Sequence, residues 1–254
     1  MAKPVKIRNL MVGEGIPKIC VPITGRTKEE IEAQAGKIVS PAPDMVEWRA
    51  DYFDGVEDLL AVREILSTLR GILREIPILF TFRTKEEGGV RPITTQAYVN
   101  LNQAVSEWGL ADAVDVELMF QESGAKPLIE DIQAKGCRVV CSNHHFQDTP
   151  ETQELLFTFM QMEKAGADIL KIAVMPRTPE DVLRLLLATY KTSEKSSCPL
   201  ISMAMGGQGV LSRLGGEVLG SSVTFAAVGE TSAPGQLPME EMKQALSIIH
   251  RALQ

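Results

Sequence analysis

The sequence has few of the residues that metal and disulfide sites need. Its 254 residues include four cysteines and three histidines, and no cysteines are spaced as Cys-x-x-Cys. A zinc site needs convergent thiolate or imidazole ligands, and disulfides are scarce in reducing compartments. We therefore expect no metal site, and we expect four reduced, mostly buried thiols at Cys20, Cys137, Cys141 and Cys198.

Long hydrophobic runs and an excess of positive charge are also missing. Apolar segments such as ILFTF and LRLLLA are far shorter than the roughly 20 residues that cross a bilayer, and the start MAKPVKIRNL lacks the apolar stretch of a secretory signal. With 26 Lys and Arg against 33 Asp and Glu, the formal net charge is −7. This balance argues against nucleic acid or a membrane as partner, and a cytoplasmic location is expected.

The apolar residues are concentrated in short runs that alternate with helical patterns. Eight such runs are Lys18–Thr24, Met45–Ala50, Pro77–Arg83, Ala113–Leu118, Arg138–His144, Ala167–Met175, Leu200–Met205 and Ser222–Val228. Continuous apolar runs are typical of parallel strands covered on both faces, and eight βα units in about 250 residues are typical of a closed barrel. No linker divides the chain, so the pattern predicts one domain, residues 1–254, folded as a single (β/α)8 TIM barrel.

Glycine and proline positions refine this prediction. An open doubly wound sheet is the alternative, but it favours G-x-G-x-x-G after the first strand, where the sequence has none. Gly13-Glu14-Gly15 comes before the first barrel strand, and we interpret it as the turn of an N-terminal β-hairpin (residues 1–17) that closes the barrel floor. Thr149-Pro150 and Thr178-Pro179 each predict a helix start, with threonine as the N-cap.

Polar residues recur near the carboxyl ends of the predicted strands, where barrel enzymes have their active sites. They are Glu47, Arg49, Arg83, Glu87, Asp115, Glu117, Asn143, His144, His145 and Lys171, with Arg213 in the loop after the seventh strand. Any one of them could belong to an internal salt-bridge network that packs the barrel. Their convergence on one rim favours a functional site.

Lys171 and His144 carry the clearest chemistry. Lys171 lies in the apolar run ADILKIAVM, and burial lowers the pKa of a lysine, which yields a neutral amine able to attack a carbonyl. A lysine that reaches the rim or pairs with a carboxylate is the alternative. Adjacent residues of a strand point to opposite faces, so at most one of His144 and His145 faces the lumen. His144 is the expected proton carrier, and a hydrogen-bonded structural histidine is the alternative.

Two loops complete the expected site. The glycine-rich segment 206–213 offers backbone N–H groups and the Arg213 guanidinium to a carboxylate or phosphate. The segment 229–238 follows the last strand and is interpreted as a lid, with Ser232 and Gln236 as hydrogen-bonding groups. For both segments, the alternative is an ordinary turn-rich loop.

Taken in order, these motifs resemble the type I 3-dehydroquinate dehydratases, also called 3-dehydroquinases, the Schiff-base family of the shikimate pathway. The matching runs are GEGIPKICV, VEWRADYF, LFTFRTKEEGG, VDVEL, SNHHF, GADILKIAVMP, GVLSRLGGEVLGSSVTF and SAPGQ, which span residues 13 to 236. The resemblance implies a hydro-lyase that dehydrates 3-dehydroquinate to 3-dehydroshikimate, the third step of chorismate and aromatic amino acid biosynthesis. It implies a covalent imine mechanism without metal or cofactor, and a homodimer of barrels.

The resemblance also implies a role for each matched residue. Lys171 would form the imine, His144 would act as general acid and base, and Glu87 would orient and tune His144. The implied substrate contacts are Arg213 at the carboxylate, Glu47, Arg49 and Arg83 at hydroxyls, Ser232 and Gln236 from the lid, and Met203 and Met205 as apolar walls.

The chain departs from the family pattern at two places. The usual Asn-His-Asp-Phe is Asn143-His144-His145-Phe146 here, and Pro22 stands where a serine often occurs. Because position 145 points away from His144, we expect the catalytic assignment to survive. Two other functions remain open: a different imine-forming barrel, such as a class I aldolase or transaldolase, and a non-catalytic sensor of the same acid. A sensor would usually lose the lysine or the histidine, and this chain has both.

Overall fold

A computed structural model describes residues 2–121, 124–229 and 235–254. The strands are β1 (Val5–Ile7), β2 (Leu10–Val12), β3 (Lys18–Ile23), β4 (Met45–Arg49), β5 (Ile78–Thr81), β6 (Ala113–Glu117), β7 (Arg138–His145), β8 (Ile169–Val174), β9 (Leu200–Ala204), β10 (Val223–Ala227) and β11 (Leu237–Pro238). The helices are α1 (Lys28–Val39), α2 (Leu59–Leu73), α3 (Thr95–Trp108), α4 (Lys126–Ala134), α5 (Thr152–Lys164), α6 (Pro179–Ser193), α7 (Val210–Leu214), α8 (Gly216–Leu219) and α9 (Met239–Ala252).

Eight parallel strands, β3 to β10, form the barrel in chain order. The ring closes between β9 and β10 through a parallel bridge at Leu200 and Ser221, where the Ser222 N–H donates to the Leu200 carbonyl at 2.7 Å. All eight predicted strands are present, and no end is shifted by more than two residues. The predicted (β/α)8 barrel is therefore confirmed.

Each strand changes character from one end of the barrel to the other. At the amino ends, buried apolar side chains fill the interior, among them Met45, Leu79 and Ala113. Two residues further along the same strands and on the same face lie Glu47, Thr81 and Asp115, because side chains in a strand alternate with a period of two. The barrel therefore has an apolar lower layer and a polar, buried upper layer at the carboxyl ends.

The N-terminal hairpin closes the lower layer, as predicted, but its turn is elsewhere. β1 and β2 pair antiparallel with Ile7 opposite Leu10, and Ile7 and Val12 pack against the apolar lower layer. The turn consists of Arg8 and Asn9, with Arg8 in the left-handed region at φ 55°. The prediction of a turn at Gly13-Glu14-Gly15 was wrong, because these residues follow β2 and connect it to β3.

The helix starts were predicted with mixed success. Thr178 caps α6 as expected: its side chain accepts from the Asp181 N–H, and Asp181 accepts in return from Thr178, which is a complete capping box. The prediction of Thr149 as an N-cap was wrong, since α5 begins at Thr152 with Glu151 as its N-cap. None of the helices in the described ranges combines the length and apolar character that a membrane span needs.

Candidate active site

Lys171 lies at the centre of the polar layer, on β8. Its side chain is buried, and its Nζ donates to Asp115 Oδ2 at 3.0 Å and to Glu47 Oε1 at 3.2 Å. The ammonium group also lies 5.0 Å from the centre of the Phe225 ring. Each partner comes from a different strand. Closure of the barrel therefore brings together residues that are far apart in sequence.

The sequence left two interpretations of Lys171 open, a neutral amine and a lysine paired with carboxylates, and the structure matches the second. Burial alone would lower the pKa of Lys171, but the carboxylates of Asp115 and Glu47 stabilise the ammonium form and raise the pKa above its ordinary value. Lys171 is therefore a protonated amine, and it must lose a proton before it can act as a nucleophile.

Arg83, two residues beyond the end of β5, holds the carboxylates of the polar layer in place. Its Nη2 donates to Asp115 Oδ1 at 2.8 Å, and its Nη1 donates to Glu117 Oε1 at 2.8 Å and to Ser142 Oγ at 2.9 Å. Ser142 Oγ in turn donates to Asp115 Oδ1 at 2.6 Å. Each charge in this network has a partner of opposite sign at hydrogen-bond distance, as burial requires.

His144 and Glu87 form a hydrogen-bonded pair beside Lys171. His144 Nδ1 lies 2.9 Å from Glu87 Oε2, and the Asn143 amide donates to Glu87 Oε1 at 3.0 Å. Glu87 reaches this place because the residues Lys85–Glu87 form one 3-10 turn, which Thr84 caps by accepting from the Glu87 N–H. With Nδ1 committed to Glu87, Nε2 is the nitrogen of His144 that can exchange a proton with a substrate.

The pKa values of this pair are shifted in opposite directions. Burial, and then the nearby cations Arg83, Lys171 and Arg49, lower the pKa of His144 well below its ordinary value. Burial and the neighbouring Glu117 carboxylate raise the pKa of Glu87 to about 8. The two groups share a hydrogen bond, so they titrate as a unit. Around neutral pH the unit can therefore both accept and release a proton.

A cavity above Lys171 collects most of the residues that were predicted to form the site. Its lining consists of Glu47, Arg49, Arg83, His144, Phe146, Lys171, Ala173, Met203, Met205, Arg213, Phe225 and Gln236. We call this space the front cavity. Arg213 is buried, and burial lowers its pKa to about 10. Of the expected site residues, Glu87 contacts His144 from outside this lining. Ser232 lies outside the described residues, as does half of the expected lid.

Arg49 and His145 have partners that were not expected. Arg49 forms a bidentate pair with the buried Asp51, at 2.8 and 2.9 Å, while its side chain still lines the front cavity. His145 is part-buried and lies on the other face of β7 from His144, with its Nδ1 3.9 Å from Asp148 Oδ1. The expectation that at most one of the two histidines faces the lumen is confirmed.

Sequence reasoning left several members of this site without a role. Asp115 and Asn143 had been noted at the strand ends, but their partners could not be assigned. Ser142 and Phe225 had not been singled out. For Asp115 and Ser142 the signal was their position, since each lies two residues beyond an apolar residue on the inward face of its strand. Among the described residues, no three His, Cys, Asp or Glu side chains converge in a way that could hold a metal ion.

The fold and the site define an enzyme of the (β/α)8-barrel class, with a buried lysine, a histidine–glutamate pair and arginines at the carboxyl ends of the strands. The family model of the type I 3-dehydroquinases matches residues 19–252. The chain belongs to this family. Among curated proteins, the 3-dehydroquinate dehydratase of Bacillus licheniformis is 44% identical over 254 residues, which is 100% of both chains. That of Listeria innocua is 44% identical over 247 residues, covering 97% of this chain and 98% of the relative.

Solved structures of 3-dehydroquinate dehydratases have the same fold as this chain. The type I 3-dehydroquinate dehydratase of Clostridium difficile, solved with covalently modified comenic acid, superposes with a TM-score of 0.96 at 41% identity. The match covers 99% of this chain and 100% of that chain. The 3-dehydroquinate dehydratase of Geobacillus kaustophilus gives a TM-score of 0.96 at 40% identity, with 99% and 98% coverage.

Proposed function

We propose that this chain dehydrates 3-dehydroquinate to 3-dehydroshikimate in the shikimate pathway, through an imine on Lys171 with His144 as general acid and base. The observation that carries the proposal is the buried Lys171 amine in a cavity that it shares with His144 and Arg213. Family membership and the names of the full-length relatives support the substrate. We further propose that the protein is a homodimer and that it is cytoplasmic. Light scattering tests the dimer.

Imine formation requires a neutral amine, so the Lys171 ammonium must first give up a proton. Asp115 is a poor acceptor, because its pKa is lowered: burial opposes the charge, but Arg83 and Lys171 outweigh it. Glu47 lies 3.2 Å from Nζ and lines the cavity, so it is the acceptor closest to an incoming ketone. Nζ then attacks the carbonyl carbon. The carbonyl oxygen takes one proton from Nζ and one from Glu47, and it leaves as water. The resulting iminium nitrogen is an electron sink for the next step.

Elimination then proceeds in two proton transfers through His144. Nε2 removes a proton from the carbon next to the iminium carbon, and the C–H electron pair moves toward nitrogen to give an enamine. The enamine returns this pair, the bond to the hydroxyl group breaks, and a proton from His144 lets the hydroxyl leave as water. Hydrolysis of the conjugated iminium releases the product and restores the Lys171 amine.

The remaining cavity residues hold the substrate. The Arg213 guanidinium matches a carboxylate in a planar, two-point interaction. Arg49, Arg83 and Glu47 supply polar groups for hydroxyls, and Met203 and Met205 supply apolar walls. Gln236 also lines the cavity, and with Ser232 it is proposed to cover the bound substrate.

A dehydration assay tests the proposal. The product is a conjugated enone, so its formation is followed by ultraviolet absorbance, with product identity checked by mass spectrometry. We expect turnover by the wild type and by Lys164→Met, which removes an exposed helix lysine. Turnover by Lys171→Met should fall to background. Carbon–carbon cleavage products, or full activity without Lys171, would contradict the proposal.

A further inference from the structure

A second cavity, which we call the rear cavity, lies against the other side of the His144–Glu87 pair. It measures about 460 Å³ and is lined by Thr84, Glu86, Glu87, Ile93, Thr95, Tyr98, Glu117, Met119, Phe120, Asn143 and His144. Glu86, Thr95 and Met119 are exposed, whereas Glu87, Tyr98 and Glu117 are buried. The rear cavity therefore extends from solvent to the buried carboxyl group that touches His144. Among the described lining residues, His144 is the one that it shares with the front cavity.

The two cavities are lined by ionisable side chains of opposite type. The described lining of the front cavity carries four cationic side chains and one carboxylate, Glu47. The described lining of the rear cavity carries three acidic residues, Glu86, Glu87 and Glu117, and neither lysine nor arginine. A carboxylate substrate is attracted by the first and repelled by the second, whereas water and protons enter the second freely. The charges thus assign the substrate to one side of His144 and leave the other side to solvent.

The orientation of the imidazole matches this division. His144 Nδ1 contacts Glu87 Oε2 at 2.9 Å, and Glu87 lines the rear cavity, which leaves Nε2 for the front cavity. Asn143 donates to Glu87 Oε1 and so fixes the carboxyl group between the imidazole and the rear cavity. Because the pKa of Glu87 is raised to about 8, its carboxyl can gain or lose a proton around neutral pH.

We propose that Glu87 conducts protons between His144 and water in the rear cavity while the substrate occupies the front cavity. The Glu87 carboxyl first releases its proton to water in the rear cavity. When Nε2 takes the substrate proton, Nδ1 passes its own proton to the Glu87 carboxylate so formed, and one proton has then moved from the substrate side to solvent. The reverse sequence returns one proton for the departing hydroxyl, so protons balance over a turnover. The inference rests on the proposed role of His144 and adds a solvent route to it.

Hydrogen exchange into unreacted substrate tests the route. The reaction is run in D2O with protiated 3-dehydroquinate and stopped early, and mass spectrometry gives the deuterium in recovered substrate relative to the product formed. This ratio is internal to each variant, so a modest change in turnover does not affect it. Thr95→Trp fills the mouth of the rear cavity, and Gln96→Trp places the same side chain on the neighbouring exposed residue, which does not line it.

We expect deuterium in substrate recovered from the wild type and from Gln96→Trp, and a several-fold lower exchange-to-product ratio in Thr95→Trp. Met119→Trp, from a different part of the mouth, repeats the test if Thr95→Trp does not fold. Equal ratios in the blocked and control variants would overturn the route, as would the absence of deuterium with the wild type. Borohydride trapping in the same samples keeps the two claims apart, because missing imine on Lys171 would reject the proposed function itself.

Discussion

Replacing Asp115 with asparagine removes the charge on which the polar layer of the barrel depends. Asp115 is completely buried and accepts hydrogen bonds from Arg83, Ser142 and Lys171 at 2.6 to 3.0 Å. Asparagine keeps the shape of the side chain but removes its charge, so Arg83 and Lys171 each lose one buried carboxylate partner. Breaking a buried ion pair from one side costs about 3–5 kcal/mol, and the amide oxygen can keep part of the hydrogen bonding. We therefore expect Asp115→Asn to lower the free energy of unfolding by about 3 kcal/mol.

Urea unfolding, followed by far-ultraviolet circular dichroism at neutral pH, measures this loss. The matched control is Asp54→Asn, since the Asp54 carboxylate also pairs with two cations, Arg26 and Arg91, but at the exposed surface. The control should unfold almost as the wild type does, because solvent screens exposed pairs. If the two variants were equally stable, the polar layer would not depend on the charge of Asp115, and the reasoning would be refuted.

Four further outcomes follow from the contacts. Ile7→Ala empties a fully buried site between the hairpin and the barrel floor and should cost about 2–5 kcal/mol in urea unfolding; a negligible loss would contradict the floor-closing role. The raised pKa of Glu87 means that the folded state keeps a proton which the unfolded state loses above pH 4.5, so wild-type stability should fall relative to Glu87→Gln as pH rises toward about 8. If the free energies of unfolding of the two proteins changed with pH in the same way, the raised pKa of Glu87 would be excluded. Arg213→Lys loses the planar two-point contact and should raise KM about tenfold or more with kcat less affected, measured by initial rates; an unchanged KM would place the carboxylate elsewhere. His145→Asp should change kcat little, because His145 faces away from the front cavity, and a rate far above wild type would show that this departure from the family matters.

The barrel can be predicted from sequence alone because each of its strands is marked by a local feature, a short apolar run. Strands buried on both faces must be apolar along most of their length, so all eight could be located from composition within a few residues. The hairpin turn could not be located in the same way. Gly13 and Gly15 were the obvious turn residues, but the chain turns at Arg8, whose left-handed backbone is uncommon for arginine. Glycine marks where a turn is easy, whereas strand pairing decides where it occurs.

The charge state of the site could not be predicted, because it depends on distances between separate strands. The sequence shows Lys171 as a lysine within an apolar run, but Glu47 and Asp115 are brought to it only by barrel closure. Their carboxylates outweigh the effect of burial and reverse the expected direction of the pKa shift. The rear cavity was missed for the same reason, because its lining joins the segments around residues 84–98, 117–120 and 143–144.

Borohydride reduction in the presence of 3-dehydroquinate, followed by peptide mass mapping, tests the central claim most directly. An imine on Lys171 is reduced to a stable secondary amine, so the peptide containing Lys171 should gain the mass of the reduced substrate or product adduct. Lys164→Met should be labelled in the same way, and Lys171→Met should not be labelled. A folded wild-type protein that turns over substrate without any adduct on Lys171, or an adduct on a different lysine, would contradict the covalent mechanism.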